Sequence, residues 1–188
     1  MAVERTFVLI KPDGVYRALI GNVISRFESA GLKVVALKMI RADEKIAAKH
    51  YVADEAWLMS IGTKTKASYK EKGISVKDTE MEIGNRVRNQ LLQYLTEGPV
   101  VAMVLEGNDA IFITRKIVGG TEPRKADPSS IRGMYSSDSY ETADKAKRAV
   151  KNLIHASEDT ATANREISVW FKKDELNEYK RVDEHVIY

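Results

Sequence analysis

The amino-acid sequence predicts an α+β fold of the ferredoxin-like kind, a mostly antiparallel four-stranded sheet with helices packed on it. Three observations carry that expectation. The β-prone run from Arg5 to Ile10 stops at Lys11, Pro12, Asp13 and Gly14, because proline cannot donate to a strand ladder and Asp-Gly favours a turn. Leu19, Ile20, Val23, Ile24, Phe27 and Ala30 recur at three- and four-residue spacing, which sets them on one helical face, and Gly31 suits a C-terminal cap. The stretch from Pro99 to Glu106 is almost continuously apolar and is bounded by Gly107, Asn108 and Asp109, as expected for a central strand buried on both faces.

The remaining elements follow in order. Leu32 to Ile40 alternates as a second strand, and Glu44 to His50 reads as a short helix. After Trp57 the pattern weakens. Residues 62–90 are rich in Lys, Thr, Ser and Glu, and Ile83, Val87, Leu91 and Leu92 alone suggest a helix there, so the segment reads as an insertion with partial helical structure. A helix is expected from Asp109 to Val118, closed by Gly119 and Gly120, then a loop-like stretch over 121–140 and a helix from Glu141 to Val150. Asn152 to His155 reads as the last strand. Ala163, Ile167, Trp170 and Phe171 share a final helical face with Asp159 as its N-cap. The chain is expected to form a single domain over residues 1–188, with insertions near 62–90 and 134–150.

Composition narrows the function classes. The 188 residues include 30 basic and 27 acidic side chains and no cysteine. That excludes cysteine nucleophiles, Cys-containing zinc sites and a disulfide framework, and it suits a reducing compartment. No basic segment followed by an apolar core opens the chain, and no apolar stretch is long enough to cross a bilayer, so a cytoplasmic location and no membrane partner are expected. Residues 61–90 hold seven Lys/Arg and four Asp/Glu, which accounts for the whole net charge of +3. The basic character is therefore local.

Neither Gly-x-x-x-x-Gly-Lys-Ser/Thr nor Gly-x-Gly-x-x-Gly occurs. A nucleotide site would have to hold phosphates with side chains: Arg forks, Lys point charges and Thr or Ser hydroxyls. Of the histidines at 50, 155 and 185, His155 is the best candidate for chemistry, since small residues follow it at a strand end. Neutral imidazole is abundant at pH 7 and can attack phosphorus directly. Taken singly, the blander reading is favoured at each position: His155 as a hydrogen-bonded histidine beside the core, Lys11 as a lysine pointing into solvent, Arg115 and Arg132 as surface contacts, and Tyr51 and Trp57 as packing residues.

Their joint order is more specific. Glu4 to Phe7 with Ile10 to Val15, Gly21 with Ile24, Arg26, Phe27, Glu28 and Gly31, and His50-Tyr51 come first. Gly98 to Val104 with Glu106-Gly107, Arg115-Lys116, Gly119 to Thr121 and Ile131 to Gly133 follow. Asn152 to Ser157, Glu166-Ile167 with Trp170-Phe171, and the ending Val186 to Tyr188 complete the series. In this order the chain resembles nucleoside diphosphate kinases, and the longer form resembles archaeal members. The family's usual aspartates are replaced by Met134 and Glu158, and both changes spare the residues assigned to chemistry.

The resemblance implies alternating phosphoryl exchange, in which a nucleoside triphosphate phosphorylates His155 and a nucleoside diphosphate then collects the group. It implies that Lys11 contacts the transferring phosphate and the ribose 3′-hydroxyl and that Asn152 reaches the ribose. Arg115 and Thr121 would hold the terminal phosphates, and Arg132 would bear on the transferring group. Tyr51 would place its hydroxyl near the nucleophile. Glu166 would orient the imidazole through its other ring nitrogen, with Ser157 supporting that carboxylate, and Trp57 is the candidate for stacking on the base. Mg²⁺ is the implied cofactor, held mainly by nucleotide phosphates with no metal-binding protein residue. The implied partners are ATP, GTP, GDP and related nucleotides, and further copies of the chain in a hexamer. Two rivals, a nucleic-acid-binding module and a non-catalytic scaffold, are disfavoured: the first lacks interleaved aromatics, and the second does not account for retention of the whole set.

Overall fold

The computed structural model describes residues 3–71 and 73–187. Met1 and Ala2 of the opening, Lys72 of the basic segment and Tyr188 of the matching ending lie outside the described residues. The first half contains β1 (Val3–Ile10), α1 (Pro12–Tyr16), α2 (Ile20–Ser29), β2 (Lys33–Arg41), α3 (Glu44–His50), α4 (Glu55–Glu71) and α5 (Glu80–Thr96). The second half contains β3 (Pro99–Asn108), α6 (Ala110–Val118), α7 (Ile131–Tyr135), α8 (Tyr140–Lys145), β4 (Ile154–Ala156), α9 (Thr160–Trp170) and α10 (Glu184–Ile187).

The four strands form one antiparallel sheet in the order β2-β3-β1-β4, the ferredoxin-like arrangement expected from the alternation of elements. β1 and β3 are central, so both of their faces are covered and both read as continuous apolar runs. On one face Phe7, Leu9, Val100, Ala102 and Val104 pack with Ala47 of α3, Leu95 of α5 and Ile167 and Trp170 of α9. On the other, Val8, Ile10, Val101, Met103 and Leu105 pack with Val23 and Phe27 of α2, Ala110 and Val118 of α6 and Ile131 of α7. Among the described residues the short β4 pairs only with the end of β1, with His155 opposite Leu9.

Four local expectations are corrected, one of them the loop-like stretch over 121–140, which holds the short helix α7 started by the Ser130 cap. Residues 62–90 hold most of a well-formed helical hairpin, α4 and α5. A capping box between Thr79 and Glu82 starts α5. α4 carries no strong apolar stripe, and its packing depends on contact: a Cβ on Gly62 or Gly84 would run into the Glu80 or Leu58 carbonyl of the facing helix. Part of the local basic excess is neutralised there, by Lys66–Glu80 at 3.1 Å and by Arg86–Asp78.

The helix expected from Glu141 to Val150 runs only from Tyr140 to Lys145. Lys147 turns left-handed, and Arg148 folds back to grip Asp138 with both terminal nitrogens, at 2.7 and 3.1 Å. Ala149 and Val150 are buried beyond that turn. The last strand begins at Ile154 because Leu153 is also left-handed, with φ of 67°.

At the other sheet edge, the chain after α9 runs along β2. The Asn177 N–H donates to the Val35 carbonyl at 2.8 Å, and the Tyr179 hydroxyl donates to that of Val34 at 3.0 Å. Edge groups that would otherwise be open are thereby satisfied. No helix among the described residues is long and apolar enough to cross a membrane.

Candidate active site

The site lies at the sheet end where β1 finishes and β4 begins. His155 leaves β4 beside the buried Glu166 of α9, and its Nε2 lies 2.9 Å from Glu166 Oε2. The Ser157 hydroxyl donates to the same oxygen at 2.6 Å. A carboxylate can only accept, so Nε2 carries the imidazole proton and Nδ1 keeps its lone pair. With 22% of its side chain exposed, the ring is reachable although it sits in a wall of aromatics. His50 meets it edge-on at 4.5 Å between centroids, and Phe7 lies at 6.2 Å.

His50 stands at the end of α3. It is buried, and its Nδ1 accepts from Trp170 Nε1 at 3.4 Å. Burial holds its pKa well below the ordinary value, with the charges of His155, Lys11 and Arg165 adding to the effect. It therefore stays neutral and packs against His155 without competing as a cation.

Two cations bond the segment that carries His155. Lys11, between β1 and α1, is 4% exposed, and its ammonium donates to Asn152 Oδ1 at 2.7 Å. Burial, reinforced by Arg132 and partly offset by Asp13, lowers its pKa to about 7. Arg132 of α7 donates to three main-chain carbonyls, those of Asn152, Gly119 and Ile154, at 3.2, 2.8 and 2.7 Å. Burial lowers its pKa to about 10, so it remains charged at neutral pH. The polar contacts that Lys11 and Arg132 make here are with neutral oxygens. Such a pair favours an incoming anion.

The backbone that joins these groups is strained. Leu153 adopts the left-handed region between Asn152 and His155, which costs a non-glycine residue about 1–3 kcal/mol. Its N–H donates to Asp13 Oδ2 at 3.2 Å, and its carbonyl accepts the Lys11 N–H at 2.8 Å. Strand alternation would have put Asn152 and His155 on opposite faces. The left-handed residue breaks that alternation, so Asn152 bonds Lys11 while His155 packs on His50, whose charge state Lys11 also influences.

Asn152 spends its amide oxygen on Lys11 and donates from Nδ2 to the Thr121 carbonyl at 3.0 Å. Thr121 is exposed and follows the turn at Gly119, whose φ of 84° suits glycine alone and where a Cβ would meet the Ser130 side chain. Arg115 is exposed in the last turn of α6, close enough for its charge to lower the pKa of Arg132. Tyr51 is half-buried, and desolvation, then the charge of Glu166, pushes its phenol pKa upward, which keeps it a hydrogen-bond donor. Trp57 is half-buried in the first turn of α4, where its main-chain N–H donates to Asp54 Oδ1 at 2.9 Å. Lys11, Arg132, Asn152, His155, Ser157 and Glu166 thus form a connected constellation, joined to Thr121 through its main chain, while Arg115 and Trp57 occupy more open positions. Asp13, His50 and Tyr94, whose hydroxyl donates to Asp13 Oδ1, belong to it and carry no functional signal in the sequence. Asp13 was hidden because Pro-Asp-Gly reads as turn chemistry.

His50, His155 and Glu166 bring ligand atoms within 4.8 Å of one another. Two imidazoles with one carboxylate suit a transition metal better than Mg²⁺, which prefers an octahedron of oxygens. Glu166 is moreover engaged by Ser157 and His155. The trio does not fit a Mg²⁺ site.

A family model for nucleoside diphosphate kinase matches residues 4–57 and 80–176, leaving 58–79 between the matched stretches. The nucleoside diphosphate kinase of Pyrobaculum aerophilum is 46% identical over 183 residues, covering 95% of this chain and all of that protein. The crystal structure of an NDP kinase from the same organism superposes with a TM-score of 0.91 at 44% identity, covering 94% of this chain and 100% of that one. A Borrelia burgdorferi nucleoside-diphosphate kinase, solved as a transition-state mimic with vanadate and ADP, gives a TM-score of 0.80 at 38% identity, covering 97% and 95% of the two chains. A reachable imidazole tied to a buried carboxylate beside two anion-receptive cations is what a phosphotransferase requires, and the chain belongs to the nucleoside diphosphate kinase family.

Proposed function

We propose that the chain transfers the terminal phosphoryl group of a nucleoside triphosphate, typically ATP, to a nucleoside diphosphate by a ping-pong mechanism through phosphohistidine at His155. One observation carries this reading: the Nε2 of His155 is committed to Glu166 at 2.9 Å, which leaves Nδ1 as the nucleophile. Nδ1 attacks the γ-phosphorus, the bond to the bridging oxygen breaks, and the diphosphate leaves with that electron pair. Positive charge develops on the imidazole and Glu166 stabilises it. In the second half-reaction a β-phosphate oxygen of another diphosphate attacks the phosphohistidine and the electrons return to Nδ1. A phosphoramidate is reactive enough for that return step, and a covalent intermediate lets one pocket serve donor and acceptor in turn.

Phosphoryl transfer depends mainly on positioning and charge neutralisation. Lys11 and Arg132 bear on the transferring group, Arg115 and Thr121 on the terminal phosphates, and Asn152 and Lys11 on the ribose. Tyr51 directs its hydroxyl near the nucleophile, Ser157 steadies Glu166, and Trp57 stacks on the base, which admits any base because every base has a π face. Mg²⁺, when bound, would be held by the nucleotide phosphates and would neutralise part of their charge. We further read the chain as a single domain with insertions near 62–90 and 134–150, working in the cytoplasm as a homo-oligomer, a hexamer, that maintains the nucleoside triphosphate pools.

The deciding experiment mixes the protein with Mg²⁺ and γ-labelled ATP, quenches it and asks whether the covalent label is acid-labile and base-stable. A GDP chase should move the label into GTP, and His155→Ala should never acquire it. Folded, nucleotide-binding protein that takes up no label would overturn the reading.

A further inference from the structure

The roles assigned above leave out the buried aromatic that stands beside the cations. Tyr94, in the last turn of α5, is 3% exposed. The Lys11 ammonium lies 5.0 Å from its ring centroid and the Lys151 ammonium 4.7 Å. Its hydroxyl donates to Asp13 Oδ1 at 2.5 Å. Asp13 passes the contact on, because its other oxygen accepts the N–H of the left-handed Leu153. One side chain therefore touches the lysine that faces the incoming phosphate and, at one remove, the strained residue that precedes the nucleophile's strand.

We infer that Tyr94 is a positioning residue for phosphoryl transfer: its ring holds the Lys11 ammonium charged and in place, and its hydroxyl, through Asp13, holds Leu153 in the turn that presents Asn152 and His155. The inference rests on the reading of His155 as nucleophile. A carboxylate in the place of the ring would also keep Lys11 charged, but it would cancel that charge and repel a phosphate. The face of an aromatic ring attracts the cation without adding an anion. Burial, and then Asp13, pushes the Tyr94 phenol pKa far upward, so the hydroxyl persists as a donor to Asp13. Among the described residues, the other charged or titratable groups facing Lys11 are Arg132 from α7, Asp13 from α1 and His50 from the end of α3, and Lys151 shares the Tyr94 ring.

Two variants separate the two actions. Tyr94→Phe keeps the ring and deletes the hydroxyl; kcat should fall roughly tenfold, while the nucleotide KM and the alkaline limb of the kcat/KM profile stay in place. Tyr94→Leu also deletes the ring, and its alkaline limb should move down by about half a pH unit or more, since the ammonium then loses its proton sooner. Melting curves are recorded in parallel. A lower melting temperature with wild-type kcat and wild-type pH profile in both variants would reduce Tyr94 to packing and overturn the inference. If Tyr94→Leu does not fold, Tyr94→Phe decides alone, and wild-type kcat in that variant sinks the idea. Wild-type protein that forms no acid-labile phosphoenzyme would bring down the nucleophile reading and this inference with it. Normal wild-type phosphoenzyme with indifferent Tyr94 variants removes only the latter.

Discussion

Lys11 and Lys33 are both buried lysines set against tyrosine rings, at opposite ends of the same sheet, and they differ in one respect. The Lys33 ammonium is 5.3 Å from the Tyr179 ring and is paired with Glu106 at 2.6 Å and Glu184 at 3.3 Å. Burial pulls its pKa down, yet hydrogen bonds to the two carboxylates outweigh that and the net shift is upward. Lys11 is 5.0 Å from the Tyr94 ring, but its hydrogen bond is to an amide oxygen, and its pKa falls to about 7. A buried lysine that finds its carboxylate serves structure. One held without such a bond can take an anionic ligand at neutral pH.

The comparison can be broken most directly at Lys11. Lys11→Met should reduce kcat/KM about a hundredfold to a thousandfold by removing a preorganised charge from the transition state, while the melting temperature stays level or rises because an uncompensated buried cation has gone. Steady-state exchange kinetics and calorimetry on the same sample check both halves, and a folded variant with wild-type kcat/KM would end the functional assignment of Lys11. Next in size, Glu166→Gln should lower kcat about tenfold to a hundredfold by releasing the imidazole tautomer. Its signature is slower phosphoenzyme formation in a rapid quench, and an unchanged rate would show that the carboxylate does not orient His155.

Lys33→Met should do the reverse of Lys11→Met. Glu106 would lose a partner beside the β2 edge and keep Arg5 at 2.7 Å, so stability should fall by about 1–3 kcal/mol with kcat unchanged. Denaturant unfolding reads the first quantity and exchange kinetics the second. The smallest effect is a pH dependence of opposite sign at the two lysines. The folded-state pKa of Lys11 lies below its unfolded value of 10.5, so the unfolded chain binds more protons between about pH 7 and 10.5, and the contribution of Lys11 to stability grows as pH rises through that window. Lys33, shifted upward from 10.5, contributes stability that is present below that value and lost only above it. Melting curves of wild type and Lys11→Met between pH 7.5 and 10, values set by the Lys11 window, should diverge progressively; parallel curves would refute the depressed pKa.

The same contrast explains how much could be read from the chain itself. α2 and α9 were legible because their apolar periodicity coincides with the face each one buries, and β1 and β3 because they are nearly continuous apolar runs covered on both faces. His155, Lys11, Arg132, Asn152, Ser157 and Glu166 were legible as an ordered series of motifs. α4 was not, because its side chains carry little amphipathic signal and its position depends on backbone contact at Gly62 and Gly84. Tyr94 was equally hidden, since a tyrosine near the end of an amphipathic helix looks like core until Lys11 and Asp13 are seen against it.

The sequence by itself determined the fold class, the family and the inventory of reactive side chains, because those follow from short-range periodicity and from residue types in a given order. Only the tertiary structure decided which nitrogen of His155 is committed to Glu166, that Leu153 is left-handed, and that among the described residues no carboxylate bonds the buried Lys11 ammonium while Lys33 has two. These depend on groups from distant segments sharing a space from which water is excluded. Burial and pairing are properties of that space, and it exists only once the sheet and its helices have closed around it.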